Sequence, residues 1–257
     1  DFTDNTELFT DVEGTTNPSD GADIERINNK VFTSDAFLSD RKKCLGSYLA
    51  QDDDNARKPH WDETNGCVDF DGSNVVYSNP SKGPIDTNKF SISSVDMDAL
   101  TIFIVIKPDS ASISQDERVI ELHDSSGNLV SLRLESTDNH FELYTYNGAG
   151  RSDTTSDTSQ DCTTDKQLWT LELDSTSACS VYRNGDTSNG ITNGGSYDVT
   201  MDLTANNALN KIVIGGTSSA TQTFNGGVYE ALVFNEAMSD EEISLVEDWL
   251  INKHDIS

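Results

Sequence analysis

Charged and aromatic side chains recur at every second position in three segments of this chain, which is the spacing of residues on one face of a β-strand. The set comprises Arg133, Glu142, Tyr144, Tyr146, Glu172 and Asp174. Neighbouring strands would bring these side chains onto one solvent-facing sheet surface. Aromatic rings cover the apolar face of a pyranose, while carboxylates and guanidinium groups fix its hydroxyls. The pattern therefore indicates a carbohydrate-binding face, with an ordinary solvated face as the alternative.

A second set of candidate binding residues falls in predicted loops. His60 and Trp61 lie in one loop, and Asn147 and Arg151 lie in another. An indole ring beside a guanidinium group and an amide could also hold a sugar. The rim of the fold is therefore the second candidate site.

The strands that would position these groups are predicted by their apolar residues. The buried faces are expected to hold Val130, Leu132, Leu134, Phe141, Leu143, Trp169, Leu171 and Leu173. Residues 100–108 are almost uniformly apolar, which predicts a strand at the centre of a sheet. Residues 168–184 read as a hairpin. These segments predict an all-β fold, a jelly-roll sandwich of two antiparallel sheets.

A closing strand is predicted near the C-terminus, from Val228 to Phe234. Both of its faces are apolar except at Glu230. Strict alternation places Glu230 on the same face as Val228 and Leu232. An apolar strand of this kind is typical of one that is covered on both sides.

A short C-terminal α-helix is predicted directly after that strand. Ser239 and Glu242 have the spacing of a capping box, and the acidic residues between them suit the positive end of a helix dipole. The apolar residues at helical spacing are Ile243, Val246 and Leu250. We expect this face, together with Trp249, to dock on the sandwich.

The length of the chain, 257 residues, is compatible with one β-sandwich domain and an extension. We expect residues 1–56 to form an extended N-terminal arm that packs on the sandwich, and residues 57–257 to form the sandwich with its helix. The longest apolar run, Ile102 to Ile106, is much shorter than the roughly 18 residues that a membrane-spanning helix needs. No membrane insertion is therefore expected.

The charge balance argues against polyanionic partners. The sequence has 17 basic and 45 acidic residues, a formal net charge of −28. Binding to nucleic acid or to an anionic lipid surface requires a cationic footprint, so neither is expected. A strongly acidic surface is also what keeps a protein dispersed in a saline medium.

The four cysteines form two pairs that are close in sequence, Cys44 with Cys67 and Cys162 with Cys179. Neither pair has CxxC spacing, and the four histidines are scattered, which argues against a structural zinc site. Two local disulfides would imply an extracellular setting. Free buried thiols are the alternative.

Several of these segments together resemble the laminin-G-like, pentraxin-like members of the concanavalin A-like lectin and glucanase superfamily. The likeness lies in residues 57–78 with their Phe-Asp-Gly-Ser run, in 100–108, in the Asn-Gly turn at 184–185, in KIVIGG at 211–216 and in the closing segment 224–253. The resemblance covers about residues 57–253. It implies an extracellular or virion-surface protein, because similar modules occur in phage fibres and in secreted adhesion proteins.

The resemblance also implies a function and a metal. It suggests a lectin-like module that binds glycans or other surface proteins and can form a homo-oligomer, with a purely structural interaction protein as the alternative. Relatives often hold a calcium ion through Asp side chains, so a structural calcium ion is allowed, although no cofactor is required. Asp71 and Glu230 are the candidate ligands. A buried carboxylate with protein partners is the alternative for Glu230.

Catalysis is not expected, although the superfamily includes glucanases. Glu172 and Asp174 resemble two residues of the Glu-x-Asp core of the laminarinase-type enzymes. Those enzymes need a second catalytic carboxylate about 5 Å away, which the family motif places at the position of Ser177 here. Because a serine stands there, a divergent glycosidase is only a distant alternative.

Overall fold

Sixteen strands and one helix make up the described part of the protein. The computed structural model describes residues 8–9, 16–24, 26–28, 48–50, 58–73, 76–77, 100–123, 128–137, 139–147, 151–154, 162–173, 179–192, 211–217, 221–234 and 237–257. The strands are β1 (Leu8–Phe9), β2 (Arg26–Asn28), β3 (Tyr48–Ala50), β4 (His60–Asp62), β5 (Cys67–Asp71), β6 (Val76–Tyr77), β7 (Leu100–Pro108), β8 (Glu117–His123), β9 (Asn128–Glu135), β10 (His140–Asn147), β11 (Arg151–Thr154), β12 (Gln167–Leu173), β13 (Cys179–Arg183), β14 (Asp186–Thr192), β15 (Lys211–Ile214) and β16 (Asn225–Phe234). The helix is α1 (Asp240–His254).

The strands form two antiparallel sheets, which confirms the predicted fold class. One sheet has nine strands in the order β1-β2-β3-β6-β15-β8-β9-β10-β11. The other has seven, in the order β14-β13-β12-β7-β16-β5-β4. The apolar strand β7 is fourth of seven, the central place that its sequence predicted.

The inter-sheet core consists of the alternating apolar side chains of both sheets. Phe141 of β10 lies on Trp169 of β12, with ring centroids 4.5 Å apart. The predicted inward residues Val130, Leu132, Leu134, Leu143 and Leu171 are all fully buried. The contact between Phe141 and Trp169 fixes how the sheets overlie each other, since it places β10 against β12.

Strand β16 contributes side chains to two separate apolar clusters because its register shifts by one residue. Val228 pairs with Ile106, whereas Glu230, two residues later, pairs with Val105. Val228 therefore points into the inter-sheet core, and Tyr229 and Leu232 belong to a second cluster under helix α1. The predicted alternation was wrong here: this β-bulge separates Glu230 from the face of Val228.

Helix α1 begins and docks as its sequence predicted. The Ser239 hydroxyl accepts from the Glu242 backbone N–H, and the Glu242 side chain accepts from the Ser239 N–H, which completes the capping box. Ile243, Val246 and Leu250 are buried in the cluster that covers the outer face of the seven-stranded sheet. The described residues contain no helix with the length and apolar character to cross a membrane.

Three short strands come from the first 50 residues of the chain. Strands β1, β2 and β3 extend one edge of the nine-stranded sheet, and Ile24 is fully buried in the inter-sheet core. The described part of residues 1–56 therefore contributes to both the sheet and the core.

The predicted disulfides are absent for both cysteines whose thiols the structure describes. Cys67 and Cys162 are free and buried. Cys162 lies before the start of β12, while Cys179 is paired with Leu173 at the end of β12. A strand of this length separates the two positions by about 20 Å, far beyond the reach of a disulfide. The argument for an extracellular setting from cysteine pairing is therefore lost, and Cys44 lies outside the described residues.

Candidate functional site

A polar cluster occupies the outer face of the nine-stranded sheet, where β8, β9 and β10 are neighbours. Arg118 pairs with Arg133 across β8 and β9, but the next pair is Ile120 with Leu132, so the register shifts at Val119. The extra residue turns Arg118 and Glu121 to the same side of the sheet. Both then lie beside the outward residues of β9 and β10.

The centre of the cluster is the ring of Tyr144. The guanidinium carbon of Arg118 lies 4.5 Å from the ring centroid, and that of Arg133 lies 4.7 Å from it. The electron-rich ring face attracts both cations. The ring thus holds two guanidinium groups close together on the sheet surface.

Each guanidinium group is also paired with carboxylates. Arg118 donates from Nη1 to Glu121 Oε2 at 2.5 Å. Arg133 donates to Glu142 and, from Nη1, to Asp116 Oδ2 at 3.2 Å. The carboxylates neutralise charges that would otherwise be costly to bury.

Arg118 retains hydrogen-bond donors that the described residues do not use. Besides the bond to Glu121, its Nε donates to Gln222 Oε1 at 3.0 Å. A guanidinium group has five N–H donors, so three of them have no acceptor among the described residues. The Arg118 side chain is only 8 % exposed. Even so, in the described part of the chain, none of its nitrogen atoms is both buried and without a hydrogen-bond partner. Nη2, the one guanidinium nitrogen without an acceptor among the described residues, therefore reaches solvent and carries two spare donors.

The predicted carbohydrate-binding face is only partly as expected. Arg133, Glu142 and Tyr144 do lie together and point away from the core. Glu142, however, is 1 % exposed and Arg133 is buried as well, so this is a paired polar layer and not an open wet surface. Tyr144 is half-buried. The structure describes only the backbone of Tyr146.

Glu172 does not belong to this face. It lies on β12 in the seven-stranded sheet, where its cross-strand neighbours are Thr101 and Ser180. The prediction failed because it treated segments that follow one another in sequence as neighbouring strands. Asp174 and Ser177 lie outside the described residues.

The predicted rim site is divided between opposite edges of the sandwich. His60 and Trp61 lie on β4, the edge strand that is four positions from β12. Asn147 lies on β10 and Arg151 on β11, in the other sheet, where β10 packs over β12. With strands about 4.8 Å apart, the two pairs cannot meet. Trp61 is also buried in the inter-sheet core and cannot stack on a sugar.

The two candidate metal ligands do not form a common site. Asp71 Oδ1 accepts from the N–H and the hydroxyl of Ser73. Glu230 is fully buried, and its Oε2 lies 2.8 Å from both Lys253 Nζ and His254 Nε2. Asp71 pairs with Asn225, five residues from Glu230 along β16, or roughly 16 Å. Among the residues described there is no group of three His, Cys, Asp or Glu that could hold a metal ion.

The environment of Glu230 favours the ionised carboxylate. Burial alone would raise the pKa of Glu230, but hydrogen bonds from His254 and Lys253, together with nearby positive charge, outweigh it and lower the pKa below its usual value. The protein partners of this group, Lys and His, join the closing strand to the last turn of helix α1. Glu230 is thus a structural anchor for the helix.

The most important group of the site, Arg118, was not predicted from the sequence. Arg118 and Glu121 are three residues apart, which strict strand alternation assigns to opposite faces. The signal that could have identified them is the apolar pair Val119–Ile120 between the charges, because two adjacent buried residues in one strand mark a bulge.

Comparisons with known proteins identify the family of this chain. Residues 79–244 match Laminin_G_3, of the Concanavalin A-like lectin/glucanases superfamily. No curated protein matches the chain. The Ruminococcus gnavus IT-sialidase CBM40 shares 12 % identity at a TM-score of 0.53, over 70 % of this chain and 96 % of that one. The same CBM40 bound to alpha2,3 sialyllactose gives 14 % identity and a TM-score of 0.51, with the same coverage of 70 % and 96 %.

A more distant likeness is to the SAP-like pentraxin from Limulus polyphemus, with 16 % identity and a TM-score of 0.42 over 58 % of this chain and 69 % of that one. At such identities the solved structures bear on the fold alone. The family match covers well over half of the 257 residues. By this match, the chain belongs to the Laminin_G_3 family of the concanavalin A-like lectin/glucanases superfamily.

Proposed function

We propose that this protein is a non-enzymatic, lectin-like module that binds glycans at Arg118 and Tyr144 on the nine-stranded sheet. The observation that carries the proposal is the solvent edge of Arg118, where spare donors lie beside a half-buried aromatic ring. A planar guanidinium group with two adjacent free donors matches the spacing of neighbouring sugar hydroxyls. The chain's membership of a lectin and glucanase superfamily supports the same reading.

Tyr144 has a positioning role in this proposal. Its ring is in contact with two guanidinium groups, so stacking on a pyranose is not its main task. The ring fixes the direction of the Arg118 donor edge before a ligand arrives. A group held in its bound orientation loses less conformational entropy when the ligand binds.

The proposal that the module is non-enzymatic rests on the surroundings of Glu172. The residues opposite it on both neighbouring strands, Thr101 and Ser180, are not acids. A retaining glycosidase needs a second carboxylate about 5 Å from the first. A Glu172→Gln variant should therefore behave like the wild type in any assay of glucan cleavage.

A structural interaction protein without a glycan ligand is the second candidate. The near-complete burial of Arg133 and Glu142 favours it, because ion pairs of this kind also occur where a sheet face is covered by other parts of a protein.

In either case we propose an extracellular or virion-surface setting, such as a phage fibre, from the resemblance of the sequence to such modules. Light scattering after size-exclusion chromatography would show whether a homo-oligomer forms.

The test is a glycan array with the wild type and two matched arginine variants. We expect Arg118→Lys to weaken binding by roughly 10- to 150-fold, since hydrogen bonds to charged groups contribute about 1.5 to 3 kcal/mol. Arg183→Lys is the control, because Arg183 lies on β13 in the other sheet. We propose that no calcium ion is needed, so EDTA should leave the bound glycans unchanged.

Two outcomes would contradict this function. Equal binding by Arg118→Lys and Arg183→Lys would move the site away from Tyr144. The absence of binding to every glycan, with a folded protein, would favour the structural candidate.

A further inference from the structure

Gln222, which lies just before strand β16, has a backbone conformation that is unusual for its residue type. Its φ angle is 50°, in the left-handed region. The other non-glycine residues with positive φ in the described part of the chain are Asn139, Asn184 and Asp255. Asn and Asp tolerate this region better than most residues do. Residues held in such a conformation occur preferentially at ligand sites, so the side chain of Gln222 is a candidate for a role in binding.

Hydrogen bonds on both sides of Gln222 hold it in place. Before it, the Thr217 N–H donates to the Thr221 carbonyl at 3.0 Å. After it, the Phe224 N–H donates to the Gly215 carbonyl at 2.9 Å. The conformational cost is therefore met by the fold before any ligand arrives.

Gln222 contacts both the backbone and the side chain of Arg118. Its carbonyl accepts from the Arg118 N–H at 2.7 Å, and its Oε1 accepts from Arg118 Nε at 3.0 Å. Nη1 of the same group donates to Glu121. Because a guanidinium group is planar, bonds at Nε and Nη1 fix its orientation and leave Nη2 for a ligand.

The amide of Gln222 has donors of its own. Arg118 Nε can only donate, so the atom that faces it must be the amide oxygen, and Nε2 is directed elsewhere. Among the described residues, Nε2 has no acceptor, yet it is not one of the buried polar atoms without a partner. It therefore reaches solvent with two N–H donors. It lies next to Nη2 of Arg118, because a single hydrogen bond joins the amide to the guanidinium group.

We propose that Gln222 is a second ligand-binding residue of this site, which holds Arg118 through Oε1 and donates from Nε2 to the same sugar. The inference rests on the proposed glycan-binding function and adds the feature of the ligand that is recognised. Both exposed nitrogens are donors, so the sugar must offer an acceptor to each. The site therefore takes two adjacent oxygens of one sugar residue, such as neighbouring hydroxyls.

The variant Gln222→Glu separates the two contacts. Glutamate has the same size and keeps an oxygen acceptor for Arg118 Nε, but it has no donor in place of Nε2. The probes are lactose, N-acetyllactosamine and methyl mannoside, together with each glycan that the wild type binds on the array. We expect binding to weaken roughly 3- to 10-fold, the effect of one lost hydrogen bond. Asn252→Asp, on the exposed side of helix α1, is the matched change of an amide to a carboxylate and should leave the affinity unchanged.

The variant Gln222→Asn tests why a glutamine occupies this position. Asparagine suits the left-handed backbone, but it is one methylene group shorter and does not reach Arg118 Nε. We expect its Tm to stay within about 4 °C of the wild type, because relief of the backbone offsets the lost hydrogen bond. Its affinity should fall at least as far as that of Gln222→Glu.

A double variant tests whether the two residues contact the same sugar. Arg118→Lys combined with Gln222→Glu should lose less affinity than the product of the two single losses, since residues that share a ligand are coupled. Wild-type affinity in Gln222→Glu, or losses that multiply, would overturn the inference, while weaker binding by Arg118→Lys would leave the glycan function in place. No binding of any glycan by the wild type would refute that function and this inference together.

Discussion

The docking of helix α1 can be tested with a pair of neighbouring residues on opposite sides of the helix. Val246 is 2 % exposed and lies in the apolar cluster with Phe103, Leu168 and Leu250. Val246→Asp loses the burial of a valine side chain, worth about 1.5 to 3 kcal/mol, and places a carboxylate among apolar neighbours at a further cost of a few kcal/mol. We expect a total destabilisation of roughly 3 to 5 kcal/mol.

Thermal unfolding followed by circular dichroism measures this effect. A loss of 3 to 5 kcal/mol corresponds to a decrease in Tm of roughly 6 to 20 °C for a chain of this size. Leu245→Asp is the control, because Leu245 is adjacent in sequence but 56 % exposed, and it should cost less than about 1 kcal/mol. An equal decrease in Tm for both variants would show that the helix does not dock through its Val246 face.

Three further predictions concern buried ionisable groups. Burial raises the pKa of Glu117 to about 7, so the folded state binds this proton more tightly than the unfolded chain does. The free energy of unfolding should therefore fall as the pH rises from about 4.5 to 7. In urea titrations, Glu117→Gln should be more stable than the wild type at pH 8, by up to about 3 kcal/mol, and equal to it at pH 4. The pKa of Glu230 is lowered, so the pH dependence of stability is the reverse: the contribution of Glu230 is present above about pH 4.5 and is lost at lower pH. Acid unfolding of Glu230→Gln should therefore be less steep than that of the wild type. Parallel unfolding curves would exclude Glu230 as the anchor. Burial raises the pKa of Cys67 and of Cys162 to about 12, so both thiols should resist alkylation until the protein unfolds. Recovery of either cysteine in a disulfide by non-reducing peptide mapping would contradict the structure.

Apolar alternation in the sequence was sufficient to predict the core. Val130, Leu132, Phe141 and Leu143 point inward as their spacing indicated, since burial of one sheet face leaves only one acceptable register. The helix was predictable for the same reason, because its capping box and its apolar stripe are local patterns. These features depend on residues that are close in sequence.

The candidate site could not be fully predicted, because it depends on pairing between distant segments. Nothing local assigns Glu172 to the seven-stranded sheet and Glu142 to the nine-stranded one. The cysteines failed in a similar way, since nearness of Cys162 and Cys179 in sequence says nothing about which end of a hairpin each occupies. Arg118 was missed because a one-residue bulge reverses the alternation that assigns side chains to faces.

The register shift in β16 has a consequence for the cooperativity of unfolding. Strand β16 contributes Val228 to the inter-sheet core and Leu232 to the cluster under helix α1, and β7 likewise contributes Ile104 to one and Phe103 to the other. Because the two clusters share their central strands, disorder in either strand exposes both clusters. We therefore expect helix α1 and the sandwich to unfold as one cooperative unit, in which the helix amides exchange with solvent mainly through global unfolding.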